Sequence, residues 1–217
     1  MKGVFVTGTN TDVGKTWVGK HLIQSLVRNG VDVLPRKPVE SGWSEDVTKT
    51  DAWSLADAAG KIHLLDQICP NRFTKAISPA RAAHLEGITL SVDSVYQQCT
   101  ADVIQGQFLY VEGAGGFYSP LCSNGLNANL ATLLDLPILL VVDNYLGCIN
   151  HALLTIEAIK KSKLHLLAVI FNNASEENSI DMDNFDDLKN LIEEPIVQIK
   201  QDEESLEPFD ELFRILL

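Results

Sequence analysis

The sequence has few cysteines and few basic residues, and each shortage excludes a class of protein. Its four cysteines, Cys69, Cys99, Cys122 and Cys148, are widely spaced and form no CxxC pair. Neither a zinc site nor a disulfide framework is therefore indicated. Lys and Arg number 17 against 29 Asp and Glu, and the resulting net charge of −12 at pH 7 argues against a nucleic-acid partner.

Long hydrophobic runs are also missing. The longest, residues 136–142, contains Pro137 and is much shorter than the roughly 20 apolar residues that a spanning helix needs. Residues 1–9 offer one Lys and a three-residue apolar run before a polar turn, which is not the pattern of a secretory signal. We therefore predict no membrane association and a cytoplasmic location.

Length and charge distribution set the domain organisation. At roughly 150 residues per domain, a chain of 217 residues favours one domain over two. No repeat, low-complexity tract or Pro- or Ser-rich linker divides it, so we predict a single domain over residues 1–217. From Asn173 onward there are 14 acidic and 3 basic residues. An anionic substrate is therefore expected to bind within the first 172 residues.

Short β-branched or aromatic runs alternate with longer amphipathic runs. Strands are predicted over 3–7, 31–34, 108–111, 138–142, 167–171 and 195–199. Helices are predicted over 15–28, 51–59, 91–105, 127–134, 149–161 and 182–192. Several strand segments are apolar throughout, which is typical of parallel strands covered on both faces. This alternation predicts an α/β fold with a mostly parallel β-sheet flanked by helices.

The strongest motif follows the first predicted strand. Residues 8–16 read GTNTDVGKT and open the first long helix. Backbone N–H groups of such a loop and of a helix N-terminus bind polyphosphate, while Lys15 adds a positive charge and the Thr16 hydroxyl suits Mg²⁺. Thr9 stands at the motif's first position and Gly8 one residue earlier, so the loop is a variant. The alternative is a turn that only caps the helix, which leaves Lys15 without a purpose.

Glu112 ends a hydrophobic strand and is followed by glycines in residues 108–116, FLYVEGAGG. The carboxyl end of a parallel strand lies in the crevice where α/β folds bind ligands, so Glu112 is a candidate Mg²⁺ ligand. The glycines would let a phosphate approach the backbone. The alternative is that Glu112 caps the following helix and the glycines only turn the chain.

Lys37 follows the second predicted strand, and Pro38 favours an extended backbone at Lys37. Its ammonium could therefore point into the same crevice, although a single lysine in this position is more often exposed. Asp51 is predicted to be a helix N-cap, whether or not it also serves a metal.

Together these segments resemble the dethiobiotin synthetase family. The matching stretches are GTNTDVGKT at 8–16, KPVESG at 37–42, TDA at 50–52, VEGAGG at 111–116 and LGCINH at 146–151, with asparagines after the fifth strand. The resemblance implies a P-loop NTPase-like, Rossmann-like three-layer fold. It also implies ATP-dependent ring closure of 7,8-diaminononanoate (7,8-diaminopelargonate) with CO₂ to a cyclic urea, with Mg²⁺ as cofactor and a homodimer whose substrate lies at the interface.

The resemblance also implies roles for individual residues. Lys37 and Lys15 would be the catalytic cations, and Thr16, Asp51 and Glu112 would hold Mg²⁺. Nucleotide contacts would come from Asp12, Val13, Gly14, Lys15, Thr16, Trp17, Asp51, Glu112, Gly113, Ala114, Gly115, Asn172 and Asn173, the last two at adenine. Substrate contacts would come from Thr11, Ser41, Gly147, Cys148 and Asn150, the last three contributed by the other subunit.

The chain departs from the family pattern in three places. Ala80 replaces the histidine of a Ser-Pro-His stretch, and residues 195–202 lack a Gly-x-Ile-Pro turn near the base. Asn184 and Phe185 stand where a tyrosine often meets the substrate carboxylate. Two other functions stay open: an amide-forming ligase of the same ATPase superfamily, and a nucleotide switch that binds ATP and a partner without ligase chemistry.

Overall fold

A computed structural model describes residues 1–173, 182–200 and 207–217. The strands are β1 (Gly3–Gly8), β2 (Val33–Arg36), β3 (Val39–Ser41), β4 (Asn71–Phe73), β5 (Phe108–Gly116), β6 (Pro120–Cys122), β7 (Gly125–Leu126), β8 (Ile138–Asp143), β9 (Leu166–Asn173) and β10 (Ile196–Lys200). The helices are α1 (Lys15–Arg28), α2 (Asp51–Ala58), α3 (Leu65–Ile68), α4 (Pro79–Leu85), α5 (Val92–Thr100), α6 (Asn127–Leu134), α7 (Cys148–Lys161), α8 (Asn184–Leu191) and α9 (Glu207–Leu216).

Six of these strands form one parallel sheet in the order β10-β9-β8-β1-β5-β2. In chain order, β2 and β5 lie on one side of β1, and the later strands β8, β9 and β10 lie on the other. The crevice beyond the carboxyl end of β1 is therefore at a topological switch point. Two small sheets lie outside it, β3-β4 and β6-β7. The predicted parallel α/β fold is confirmed.

Helices cover both faces of the sheet, and the apolar residues of β1 show why its sequence does not alternate. Val4 and Val6 belong to the core beneath α1 and α9, whereas Phe5 belongs to the core beneath α5, α6 and α7. All three side chains are fully buried. Since both faces of a central parallel strand are covered, apolar residues are required at every position.

Most predicted boundaries lie within two residues of the observed ones, with two exceptions. The helix predicted over 91–105 ends at Thr100, because Ala101 leaves the helical region with ψ 139° and Asp102 then has a positive φ of 57°. Arg36 donates to the carbonyls of Cys99 and Ala101, two acceptors left open at the end of α5. The strand predicted over 108–111 continues to Gly116.

The two small sheets and the helices α3, α4 and α9 are not predicted by the sequence pattern. These elements are short or, like α9, lie in the acidic third of the chain. None of the described helices combines the length and apolar character required to cross a membrane.

Candidate active site

The phosphate-loop motif forms the connection between β1 and α1. Asp12 and Gly14 both have positive φ, 59° and 88°, and Gly14 is the N-cap of α1. Gly8 is required by a close approach, because a Cβ there would lie 2.6 Å from Val13 Cγ2. The loop therefore lies at a helix N-terminus, as the motif predicts, in a conformation typical of anion-binding turns.

Lys15 is buried at the start of α1, and its Nζ donates to the Asn10 carbonyl at 3.2 Å. Burial and the nearby Lys37 ammonium lower the pKa of Lys15 to about 8. An anionic ligand beside Lys15 would stabilise the charged form of its side chain. The alternative in which the loop only caps a helix gives no reason to bury an ammonium here.

Lys37 follows β2 and is only 3% exposed. Its Nζ donates to Glu112 Oε1 at 2.6 Å and to Asp51 Oδ2 at 2.9 Å. Burial alone would lower the pKa of Lys37, but the two carboxylates outweigh burial and raise the pKa above its ordinary value. The interpretation of Lys37 as an exposed lysine is therefore wrong.

Three oxygen-bearing side chains meet around this ammonium. Thr16 Oγ1 donates to Glu112 Oε1 at 2.7 Å, the same oxygen that receives Lys37 Nζ. Asp51 approaches from α2, and the Lys37 ammonium holds the pKa of its carboxyl below the ordinary value. The residues predicted as metal ligands, Thr16, Asp51 and Glu112, are thus brought together, and with Lys37 they form one cluster.

Two alternative roles for these carboxylates are wrong. Glu112 does not cap a helix, because it lies inside β5 and pairs with Val6 of β1. Asp51 is the first residue of α2, and the N-cap is Thr50, whose Oγ1 accepts from Trp53 N at 3.2 Å. Both carboxyl groups remain available to the cluster.

Two residues of the cluster were missed from the sequence. Tyr110, fully buried, donates its hydroxyl to Glu112 Oε2 at 3.2 Å. The period-two spacing of a strand places positions 110 and 112 on one face and could have indicated this contact. Glu40 is buried and accepts from the backbone N–H groups of Asp51 and Ala52, both at 2.9 Å. No local signal in the sequence pairs Glu40 with α2.

The glycine segment at the end of β5 is held by two polar side chains. Asn127 donates to the carbonyls of Ala114 at 2.7 Å and Gly116 at 2.9 Å. Its Oδ1 also accepts from Ala114 N at 3.2 Å, and Ser119 Oγ accepts from Gly116 N at 2.9 Å. The segment therefore has a fixed course next to the phosphate loop.

A cavity of about 370 Å³ connects these groups. Its lining consists of Thr11, Asp12, Gly14, Lys15, Thr16, Trp17, Lys37, Val39, Glu40, Ser41, Asp51, Ala114 and Gly115. Val13 and Glu112 are buried beside it, with Gly113 on the same strand. Eleven of the residues predicted for the site therefore line one space.

Asn172 and Asn173 lie at the end of β9. Asn172 is fully buried, and its Nδ2 donates to the Val13 carbonyl of the phosphate loop at 3.0 Å. Within the described part of the chain, nothing donates to its Oδ1. Asn173 Oδ1 accepts from Asn144 Nδ2 at 2.8 Å. The role of both residues at adenine stays a prediction.

The stretch predicted to meet the substrate carboxylate lies elsewhere. Gly147, with φ 100°, is the N-cap of α7, and Cys148 is its buried first residue. Asn150 is exposed. None of the three lines the cavity of the same chain, and the resemblance assigns them to the site of a second subunit. That role stays a prediction.

Comparison with known proteins identifies the family. A family described as AAA domain matches residues 2–208. The ATP-dependent dethiobiotin synthetase of Anaeromyxobacter dehalogenans is 37% identical over 178 residues, covering 82% of this chain and 79% of that protein. The protein of the same name from Cellvibrio japonicus is 37% identical over 201 residues, with 91% and 88% coverage. The chain belongs to the ATP-dependent dethiobiotin synthetase family.

Solved structures of more distant proteins support the fold alone. The ParA family ATPase of Chlorobium tepidum has a TM-score of 0.59 at 17% identity, covering all of this chain and 92% of that one. The septum site-determining protein MinD of Pyrococcus horikoshii has a TM-score of 0.57 at 18% identity, with 97% and 86% coverage. The predicted P-loop NTPase-like architecture of this dethiobiotin synthetase family member is confirmed.

The departures from the dethiobiotin synthetase pattern have definite places in the fold. Pro79 and Ala80 begin α4. Phe185 of α8 packs edge-on against Phe171, with ring centroids 5.8 Å apart. Asn184 donates to Asn144 Oδ1 at 2.9 Å. Of the late segment, residues 201 and 202 lie outside the described residues.

Proposed function

We propose that this chain is an ATP-dependent carbon–nitrogen cyclo-ligase that converts 7,8-diaminononanoate and CO₂ to dethiobiotin, releasing ADP and phosphate. Membership of the dethiobiotin synthetase family supports the reaction. The observation that carries the assignment of residues is the position of Lys37, buried beside the phosphate loop in the cavity that also holds Lys15.

The reaction proceeds in three balanced steps. One amine of the diamine adds to CO₂ and loses a proton, which gives a carbamate. A carbamate oxygen attacks the γ-phosphorus, and the bond to ADP breaks as the carbamic–phosphoric anhydride forms. The second amine then attacks the carbonyl carbon, phosphate leaves with the electron pair of the broken C–O bond, and the released proton passes to solvent.

The two lysines oppose the main electrostatic barrier. Two like charges about 4 Å apart repel by roughly 4 kcal/mol at an effective dielectric constant near 20. A carbamate and a triphosphate must nevertheless meet. The Lys37 ammonium is held in place by Asp51 and Glu112 and keeps its charge, because these carboxylates raise its pKa. Lys15 and Lys37 would therefore stabilise the transferring group without having to reorganise.

The donor set of Thr16, Asp51 and Glu112 fits Mg²⁺. All three offer oxygen, which this hard cation prefers, and two oxygens already meet at 2.7 Å. Within the described ranges no group of three or more His, Cys, Asp or Glu could hold a metal alone. That agrees with Mg²⁺, which is usually bound by one or two carboxylates together with substrate phosphates. When bound, it would neutralise charge on the phosphates.

For the nucleotide, we assign the phosphates to the backbone of residues 12–17 and the base to Asn172 and Asn173. The position of Asn172 supports this, because its side chain is held against the phosphate loop by the bond from its Nδ2 to the Val13 carbonyl at 3.0 Å. The fixed glycine segment after Glu112 would close over the phosphates, since it has a set course beside the loop.

For the diamine, Thr11 and Ser41 line the cavity next to Lys37 and would contact the reacting end. Its carboxylate would bind at the start of α7, where Gly147, Cys148 and Asn150 lie. A helix N-terminus favours an anion through its free N–H groups and its dipole.

We assign that carboxylate site to a second subunit of a homodimer. Leu154 of α7 and Tyr118 are 58% and 52% exposed and line one groove, and Leu146, just before α7, is 86% exposed; exposed apolar side chains of this kind favour a partner. A groove of about 360 Å³ has Leu154 on one side and phosphate-loop residues Thr9 and Asn10 on the other. A neighbouring subunit in this groove would lie close to the nucleotide.

Subunit complementation tests the shared site. Lys37→Gln and Asn150→Asp each inactivate one half of the site, the second by placing a negative charge against the substrate carboxylate. After dissociation and random reassociation of the two variants, we expect about a quarter of wild-type activity, because half of the dimers are mixed and have one intact site. A site built within one subunit gives no recovery.

Phosphate release tests the reaction itself. With ATP, Mg²⁺ and bicarbonate, we expect release to require the diamine and to yield one cyclic urea per phosphate. A nucleotide switch would hydrolyse ATP slowly and ignore the diamine. An amide-forming ligase would respond to a different carboxylated substrate. The single domain over 1–217 and the cytoplasmic location remain predictions of the sequence.

A further inference from the structure

Glu40 is a charged residue of the cavity to which neither the sequence nor the proposed reaction assigns a role. It lies on β3, three residues after Lys37, and is only 7% exposed. Removing a carboxylate from water is costly unless hydrogen bonds replace its hydration. The partners of Glu40 therefore indicate what the residue does.

Both carboxylate oxygens are used by the first turn of α2. Oε1 accepts from Asp51 N and Oε2 accepts from Ala52 N, each at 2.9 Å. N–H groups at the start of a helix have no acceptor within it, and they form its positive end. The side chain of the N-cap residue, Thr50, accepts from Trp53 N through its Oγ1. Glu40 thus supplies two further acceptors from a separate strand.

The two N–H groups include that of Asp51, whose Oδ2 accepts from Lys37 Nζ at 2.9 Å. The carboxylate of Glu40 therefore holds the backbone of a residue whose side chain reaches the centre of the cluster. β3 follows Lys37 after a single residue, so one short segment fixes both the ammonium and, through Glu40, its partner carboxylate.

We propose that Glu40 is a positioning residue, which fixes Asp51 through the start of α2 so that Asp51 can bind the divalent cation and orient Lys37. The inference rests on the proposed function and adds a residue to it. Loss of Glu40 would remove no ligand from the metal set but would let one of its members, Asp51, shift. Substitution of residues that support metal ligands commonly weakens metal binding by about tenfold or more.

The variant Glu40→Gln tests this, since it keeps the shape of the side chain but can accept only one of the two bonds. The probe is Mn²⁺, followed by electron paramagnetic resonance with a non-hydrolysable ATP analogue bound. We expect the Mn²⁺ dissociation constant to rise about tenfold. Binding of the analogue without metal should stay within about twofold of wild type, because the phosphate loop is untouched.

The matched control is Ser91→Ala, which removes the N-cap of α5, a bond from Ser94 N at 3.1 Å. It should lower the melting temperature by an amount similar to Glu40→Gln and leave Mn²⁺ affinity unchanged. If Glu40→Gln does not fold, Glu40→Asp serves instead, since it keeps the charge and shortens the reach. A raised Mn²⁺ dissociation constant is expected there too.

A Glu40 variant that is less stable but binds Mn²⁺ as tightly as wild type would overturn the proposal and leave Glu40 as a helix cap. So would a wild-type protein that binds no Mn²⁺ with the analogue. These outcomes are separable from failure of the proposed function. If wild type shows no diamine-dependent phosphate release, the function is wrong, but a change in Mn²⁺ affinity would still support the positioning role.

Discussion

Lys37 Nζ donates to Glu112 Oε1 over 2.6 Å, and both side chains are buried. The two residues follow directly on the register pair Arg36 and Val111 of adjacent parallel strands. Removing one member of a buried ion pair leaves the other without compensation, which is strongly unfavourable. Fold and proposed chemistry therefore depend on the same contact, and substitutions at either residue test both.

We expect Lys37→Gln to lower kcat by about a hundredfold or more, while ATP affinity changes by less than about threefold. The ammonium is needed mainly where charge develops during phosphoryl transfer, and Lys15 still binds the ground-state phosphates. Steady-state rates and calorimetric ATP binding measure the two effects separately.

The control for Lys37→Gln is Lys61→Gln. Lys61 forms an ion pair with Asp32 and is not in the cavity lining, so its loss should leave kcat unchanged. A Lys37→Gln enzyme with wild-type kcat would remove Lys37 from the mechanism.

Glu112→Gln should raise the Mg²⁺ concentration needed for half-maximal phosphate release by about tenfold. The amide offers a weaker, neutral ligand and also deprives Lys37 of one of its two carboxylates. A titration with Mg²⁺ at fixed ATP measures the effect. The control is Glu86→Gln, because Glu86 is exposed, accepts from Thr74 N and is not in the cavity lining. Identical Mg²⁺ curves for wild type and Glu112→Gln would exclude Glu112 as a ligand.

ATP affinity should fall as pH rises above about 8. The pKa of Lys15 in the free protein is lowered to about 8, so the ammonium is charged below this pH and neutral above it. Triphosphate binds the charged form, and its affinity therefore decreases by at most about tenfold per pH unit above 8. Calorimetry at several pH values measures the profile. Lys15→Arg keeps its charge and should give a flatter profile, whereas a flat wild-type profile would contradict the prediction.

The free energy of unfolding should reveal a tight contact between α1 and β5. A Cβ on Gly19 would lie 2.1 Å from the Tyr110 hydroxyl oxygen, so Gly19→Ala should cost about 1–3 kcal/mol. In a Tyr110→Phe background the cost should fall by about 1 kcal/mol or more, since the clashing oxygen is gone. Urea unfolding of the four proteins measures the coupling. A Tyr96→Phe background should leave the cost unchanged, and equal costs in all three backgrounds would contradict the contact.

ATP should change tryptophan fluorescence through Trp17. Of the three tryptophans, all in the described part of the chain, only Trp17 lines the cavity. Trp17→Phe should therefore lose most of the change in emission. Trp43→Phe, whose ring lies against Arg72, should keep it. If Trp17→Phe responds to ATP like wild type, the nucleotide binds away from this residue.

The phosphate loop and the parallel sheet could be predicted because both follow from local pattern. The loop combines Gly14, Lys15 and Thr16 at the start of a periodic helix, and the strands are short apolar runs. The burial of Lys37 could not be predicted in this way. It depends on Asp51 and Glu112, which reach it from two other segments of the chain.

Glu40 and Asp51 illustrate the same limit. Thr50, rather than Asp51, caps α2, and the remaining N–H groups receive Glu40 from β3. That strand exists only through pairing with β4, a partner about 30 residues further along. Long-range pairing of this kind leaves no periodic signal in a three-residue segment.

The Asn172 amide, which donates to the Val13 carbonyl, has a consequence for the kinetics of nucleotide binding. It ties the loop to β9 before any ligand arrives, so the loop loses little conformational freedom when a triphosphate binds. Association should then follow a single rapid phase, without a slow rearrangement step. Loss of this hydrogen bond should therefore change the kinetics of nucleotide association before it lowers the stability of the sheet.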